Sequence, residues 1–503
     1  MRYIKYKILL VFIGMMLFST SCDENFAEIN RDPTVANNID PNFQFTFVQL
    51  RTSGGRYENW RAGLIYSSMM IQHLAATCGY WAGDKYTYNG GYNSSLFDRA
   101  FGEQVKDVVD LINTLQTTDV GDETMLGMAR IWKVVIFHRL TDLYGDIPYF
   151  EAGKGAIEGI DFPAYDSQES IYLDMLNELE EGVNQLGVGG YGEADLIYGG
   201  DVDKWRKFGN SLMLRLAMRL SEVDAATAQT YASKAIAGGI MDSNDDDAYI
   251  LHSNGPEGIN KNGIGEVLDK ANGFGDDCPR LSDTFVNWMS SKDDPRLEII
   301  AIPSDSTGVI AGMPNGLDEA LLAENPTGTS VDDFSRINPA IVRVSSPMMF
   351  MTAAEAQLLS AEAAVRGWHG GDASSLFSDG VALALGIWMH YDPALALDEA
   401  TISEYVDANS LDESDALSQI GWQYWAATFL NEYEAFSNYR RSGFPDLTPV
   451  DYPGNITNGQ IPLRLASNPG EATLNPSWQS AADRQGLSTD FPSHMSVPVW
   501  WDK

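Results

Sequence analysis

FHRLTDLYGDIPYFEA, residues 137–152, closes a long apolar-periodic run in a Tyr-Gly-Asp-Ile-Pro turn and spaces His138, Asp142 and Asp146 four residues apart. Upstream of it, Ala129, Trp132, Ile136, Leu140 and Leu143 fall on one stripe at steps of three and four, and Met128, Ile131 and Val135 form a second apolar face. A helix that is apolar on two faces packs between neighbours rather than lying on a surface. Gly145 stands where a helix end favours a residue of positive φ, and Pro148 blocks continuation. Asp146 therefore lies beyond the helix, and the apparent ladder of three side chains is broken. His138 and Asp142 share a face, but two side chains do not make a metal site. A carboxylate near a helix C-terminus faces the negative end of the dipole, so Asp142 is expected to pair with a cation, Arg215 or Arg219. The stretch reads as a helix end, not a catalytic centre.

The same kind of helix recurs along the chain. Residues 168–186 form one such run, and Trp205, Phe208, Leu212 and Leu216 align in the next, followed after a short turn by 226–237. Thr352-Ala-Ala-Glu355 fits a capping box, in which hydroxyl and carboxylate satisfy free backbone amides at a helix start, and a further run begins near Ala373. The predicted fold is mostly α, with tetratricopeptide-like helix pairs, although a 34-residue repeat is not kept. The scaffold spans about 56–240 and 348–440. Between them, about 240–347, Gly, Asn, Asp and Pro interrupt short apolar pieces, which reads as an inserted loop-rich, non-repeat subdomain. Residues 79–95, GYWAGDKYTYNGGYNSS, form a second long loop without helical period.

The first residues address the compartment. Arg2, Lys5 and Lys7 precede the apolar run Ile8 to Phe18 and then Ser-Thr-Ser-Cys, the layout of a secretory signal over 1–21. The apolar run falls short of the ~20 residues needed to span a bilayer. Small residues ending in Cys22 resemble a bacterial lipobox, with Ser19 where Leu is usual, and Asp23 and Glu24 resemble the acidic surface-export tag of Bacteroidetes lipoproteins. Cys22 is thus the expected lipid anchor, and 22–50 a polar tether running into the start of the fold. Cleavage there would take the formal charge from −37 to −40. Such an acidic body repels nucleic acid, whose binding depends on Lys and Arg clusters. Besides Cys22 there are only Cys78 and Cys278; two buried thiols are expected, with a single bridge as the alternative. No CxxC or HExxH spacing occurs, so no metal or other cofactor is expected.

Other candidate chemistry reads as structure. Asp242, Asn244 and Asp246 imitate the start of a calcium loop, but Asp247 and Ser253 stand where that loop needs Gly and Glu, leaving an acidic surface turn. Glycoside hydrolysis needs two carboxylates facing each other across a cleft. Glu178, Glu180, Glu181, Glu432 and Glu434 sit in helical runs and read as solvated faces. The aromatic cluster carries more information. Tyr80, Trp81, Tyr86, Tyr88 and Tyr92 crowd one Gly-rich loop, with Asp84, Asn89 and Asn93 among them. Exposed rings offer stacking area at low entropic cost; two readings stay open, that at least two of these rings meet a ligand or that they pack under the loop as a satellite core. Phe274 and Trp288, in the loop-rich region, are further candidates.

With these residues in hand, the chain resembles the SusD/RagB family of nutrient-binding outer-membrane lipoproteins. The likeness is carried by residues 129–152 and 204–220, by DDPRL (293–297), by 351–368, by YRRSGFPDL (439–447), by IPLRL (461–465) and by the terminal VWWDK (499–503). The resemblance implies a surface-exposed protein working beside a TonB-dependent SusC-like transporter, binding oligosaccharide, or in some members peptide, without catalysis. Two rivals from other classes are a secreted glycan hydrolase, which would cleave what it binds, and a pure adaptor, which would hold only a protein.

Overall fold

A computed structural model describes residues 39–502; the expected signal segment, Cys22 and most of the tether lie outside the described residues. Eight helices make the scaffold: α1 (Glu123–Tyr144), α2 (Gln168–Gln185), α3 (Val202–Arg219), α4 (Ala225–Gly238), α5 (Ala353–Val365), α6 (Ala373–Gly386), α7 (Ala416–Ala427) and α8 (Glu432–Ser442). They pack as successive pairs, α1 on α2, α3 on α4, α5 on α6 and α7 on α8. Neighbouring pairs meet through α2 with α3, α3 with α5 and α5 with α7, and α8 returns to α1. This is the mostly helical, helix-pair architecture expected from the periodicity. Among the described residues no helix is long and apolar enough to cross a membrane.

Local chemistry sets the ends of α1. The Asp122 carboxylate accepts from the Met125 amide (2.8 Å), an N-cap. Gly145, at φ 74°, donates its amide to the Thr141 carbonyl (2.8 Å) and turns the chain. Ile147–Pro148 then leave the helix as a strand paired with Tyr165–Asp166. Both apolar faces of α1 are buried. Where α1 crosses α2 the backbones touch: a Cβ on Gly127 would stand 2.6 Å from the Gly182 carbonyl oxygen. The box at the start of α5 is also present, with the Thr352 amide on Glu355 Oε1 (3.0 Å) and the Glu355 amide on Thr352 Oγ1 (3.3 Å).

A buried polar network joins all four pairs, and Asp142 belongs to it. Arg219 of α3 reaches Asp142 of α1 (3.3 Å) and Glu434 of α8 (2.5 Å). Arg215 reaches Glu355 of α5 (2.6 Å) and Glu434 (3.4 Å). The Tyr424 hydroxyl of α7 lies 2.6 Å from Glu434 and 3.1 Å from Glu355, and the Tyr172 hydroxyl of α2 donates to Asp142. Burial pushes the Asp142 and Glu355 carboxyls up, whereas the two guanidiniums outweigh burial at Glu434 and hold it down at about 2. Asp142 does pair with Arg219, as the dipole argument expects. His138 donates from Nδ1 to the Val134 carbonyl (3.0 Å), and burial, with Arg215 beside it, holds its pKa well below the usual imidazole range.

The loop-rich region is built from short strand pairs and short helices. Ala248–Leu251 pairs with Pro347–Met351, and Ala301–Ile302 with Arg336–Ile337, all antiparallel. Leu74–Ala75 pairs with Arg280–Leu281, which ties the loop after residue 75 to the loop before residue 280. That pairing positions the candidate site.

Candidate ligand platform

The antiparallel register sets Leu74 opposite Leu281 and Ala75 opposite Arg280, and the chain a few residues further on brings Cys78 beside Cys278. The two form a disulfide, Cα atoms 6.0 Å apart, across 200 positions of sequence. This corrects the expectation of two thiols: the proximity comes from a strand pairing that no local pattern reveals. The bridge joins the two segments that carry the exposed rings. Tyr80 is 44% exposed and Phe274 62%. Both lean on Trp60, with ring centroids 6.0 Å and 6.1 Å away, and the Arg56 guanidinium lies over Phe274 at 5.6 Å. Trp60 enters from a ten-residue π-helical segment, Asn59–Ser68, a widened helix type frequent at functional sites.

Tyr80, Phe274, Asp276, Asp277, Val331 and the disulfide line an open basin of about 410 Å³. A cleft of about 140 Å³ adjoins it, sharing Asp276 and Asp277 and adding Lys270 and Arg336. Asp276 is the buried anchor of the basin wall: it accepts from the Trp81 indole (2.9 Å), the Tyr80 hydroxyl (3.2 Å) and the Cys278 amide (3.1 Å). Burial and this carboxylate push the Tyr80 hydroxyl above the ordinary phenol range, so it remains a donor. Asp277 faces Lys270 (2.9 Å) and Arg336 (3.6 Å). Rings, one fixed carboxylate and two cations thus meet at one mouth.

The remaining predicted ring contacts divide. Trp81 and Tyr86 are fully buried and are corrected from ligand rings to structural ones. Trp81 braces Asp276, and Tyr86, at φ 52°, accepts from the Val450 amide (3.1 Å). A Gly-rich loop has no period from which inward and outward can be read, and here it folds back on the core. Tyr88 and Tyr92 are half-buried against the core, with the Arg61 guanidinium 4.9 Å over Tyr92. Asn89 is exposed, its carboxamide oxygen capping the Tyr92 amide (3.2 Å). Asp84 is buried on Lys85 (2.9 Å), and Asn93 is buried with its oxygen on the Ala466 amide (2.9 Å). Trp288 lies elsewhere, stacked on Trp422 of α7. Trp60 and Trp422 were not singled out from the sequence because each sits inside a helical run, where an indole reads as core.

Two readings of acidic residues also change. Glu432 and Glu434 are not solvated but buried, Glu432 on His73 (2.8 Å) and Glu434 in the four-pair network. In the turn around 242–247, Asp246 and Asp247 are buried rather than surface groups. Lys207 of α3 pins that turn by bonding Asp242 (2.6 Å) and Asp246 (2.9 Å). Among the described residues no group of three His, Cys, Asp or Glu side chains is placed to hold a metal ion.

Residues 37–467 match a family model described as "Starch-binding associating with outer membrane". The chain belongs to the SusD-like family. Solved SusD-like relatives share the fold along almost its whole length. A chitin-binding protein is 32% identical with a TM-score of 0.83, covering 92% of this chain and 100% of its own. A Bacteroidetes AC2a SusD-like protein is 26% identical with a TM-score of 0.78, over 92% of this chain and 100% of its own. A chitin-binding SusD homologue from Flavobacterium johnsoniae is 25% identical with a TM-score of 0.75, over 92% of this chain and 98% of its own. No curated protein sequence matches the chain.

Proposed function

We propose that this SusD-like protein is a lipoprotein of the outer-membrane surface, anchored through Cys22, that captures oligosaccharide and passes it to a TonB-dependent SusC-like transporter. The observation that carries the reading is the pairing of Tyr80 and Phe274 at one open basin, backed by Trp60 and beside the fixed carboxylate of Asp276. Flat rings stack on sugar faces, and the Tyr80 hydroxyl and the Asp277, Lys270 and Arg336 side chains offer hydrogen bonds to ring hydroxyls and amides. Two relatives, 32% and 25% identical, carry chitin binding in their descriptions, so β-1,4-linked N-acetylglucosamine chains are the first cargo to test.

An open basin also suits hand-over. Stacking adds about 0.5–1.5 kcal/mol per ring beyond area burial, and ordering costs subtract from that, giving capture that can still release. The test is calorimetric titration of the intact mature protein with chitotetraose. Phe274→Ala is expected to weaken binding at least tenfold, and bound sugar is expected back uncleaved. Unchanged affinity in Phe274→Ala refutes the platform; product release by purified protein supports the hydrolase instead. Cys22→Ser is expected to free the protein from membranes, and its continued retention there would refute the anchor.

A further inference from the structure

Trp288 is on the helix Asp283–Ser291 and Trp422 on α7. Their rings are parallel within 7°, with centroids 5.4 Å apart, and both are half-buried. Trp425 stands edge-on to both, at 6.2 Å and 5.4 Å, and fixes the pair from below. The buried Trp425 behaves as a core indole and donates to the Ile71 carbonyl (3.0 Å). Among the described residues the indole N–H groups of Trp288 and Trp422 have no protein acceptor, nor are they buried without one. They border a cleft of about 350 Å³, at the lower end of the size usual for small-molecule sites, roughly 300–1,000 Å³.

Most polar groups around this cleft are neutral, and several keep hydrogen-bonding capacity to spare. Asn409 donates to the Tyr405 carbonyl (3.0 Å), which leaves its own oxygen open, and Gln419 accepts from the Asp412 amide (2.7 Å), which leaves its amino group open. The hydroxyls of Ser410 and Ser418 make no protein hydrogen bond among the described residues. Lys292 and Asp415 contribute one charge of each sign, so no ionic ligand is called for. The floor is locked: Gln423 accepts from Arg296 (2.7 Å) and donates to the Tyr405 hydroxyl (3.0 Å). A rigid indole surface ringed by hydroxyls and amides complements a neutral polyhydroxylated ring, which offers an apolar face and an equatorial belt of donors and acceptors.

We infer that this cleft is a second saccharide-binding site, taking one or two neutral pyranose units stacked against the Trp288–Trp422 pair. It goes beyond the proposed platform and shares none of that platform's lining residues. A chain carrying two such sites holds a long glycan at two points, which raises the effective concentration of one end while the other is released.

The test is native mass spectrometry and calorimetry on the intact mature protein with chitotetraose, cellotetraose and maltotetraose. Wild type, Phe274→Ala, Trp422→Ala and Ser410→Trp are compared, the last filling the cleft from its exposed rim. With at least one sugar, Phe274→Ala should keep one binding event, and Trp422→Ala and Ser410→Trp should each lose that event by at least tenfold. Ser410→Trp keeps the test open should Trp422→Ala not fold. Cleft variants that bind all three sugars with wild-type stoichiometry and affinity overturn the second site. Loss in the cleft variants with no change in Phe274→Ala would refute the platform while sustaining the cleft. Absence of any binding in wild type refutes both.

Discussion

Replacing Glu434 by Gln keeps the shape of the α8 side chain and removes the charge that Arg215 and Arg219 share. The folded protein holds this carboxyl at about 2 against 4.5 for the free group. Each unit is worth about 1.4 kcal/mol, so the shift corresponds to roughly 3 kcal/mol of stability at neutral pH. The cost of breaking a fully buried ion pair, about 3–5 kcal/mol, is of the same order. The sign follows from the depressed value. Glu434 contributes its full stabilisation above the unfolded pKa near 4.5, and the contribution fades as pH falls towards 2. The gap between wild type and Glu434→Gln should therefore be about 3 kcal/mol at pH 7 and about 2 kcal/mol at pH 3.5. Reversible urea unfolding, followed by tryptophan fluorescence at the two pH values, measures it. A gap below 1 kcal/mol at pH 7, or one that does not narrow on acidification, would show that the network does not bind the helix pairs together as described.

Three further outcomes are expected. Cys78→Ala with Cys278→Ala opens a loop of 200 residues, for which chain entropy gives a loss of up to ~5 kcal/mol; urea midpoints should fall, and chitotetraose affinity with them. Trp81→Phe removes the indole donor to Asp276 and should cost about 1–3 kcal/mol for the hydrogen bond to a buried carboxylate, weakening the proposed glycan binding although the ring is fully buried; unchanged melting and affinity would count against that bracing role. Gly127→Ala drives a Cβ to 2.6 Å from the Gly182 carbonyl, and overpacking of about 1–3 kcal/mol should exceed the gain in helix propensity of up to ~1 kcal/mol, read as a lower thermal midpoint.

The helix pairs were legible because three- and four-residue spacing is local: the stripes through Trp132 and through Trp205 mark buried faces without knowledge of what covers them. The end of α1 was equally legible from Gly145 and Pro148, and from the dipole came the cation beside Asp142. What escaped depended on distant partners. Glu432 and Glu434 look like any charged helical positions until His73, Arg215 and Arg219 arrive from other parts of the chain. In the Gly-rich loop, Tyr80 and Trp81 are neighbours of similar character, yet one faces the basin and the other supports Asp276 from beneath. Only the strand pairing to Arg280–Leu281 decides between them.

The bridge between residues 78 and 278 bears on how this protein matures. If the chain is exported from its N-terminus, as the proposed function requires, Cys78 emerges 200 residues before its mate and waits until the second segment follows. Cys22 is the one other cysteine in the sequence, so if it carries the proposed lipid, oxidation of Cys78 has a single thiol partner and no wrong isomer to correct. On the proposed reading, the platform would be complete only after more than half of the polypeptide had been exported.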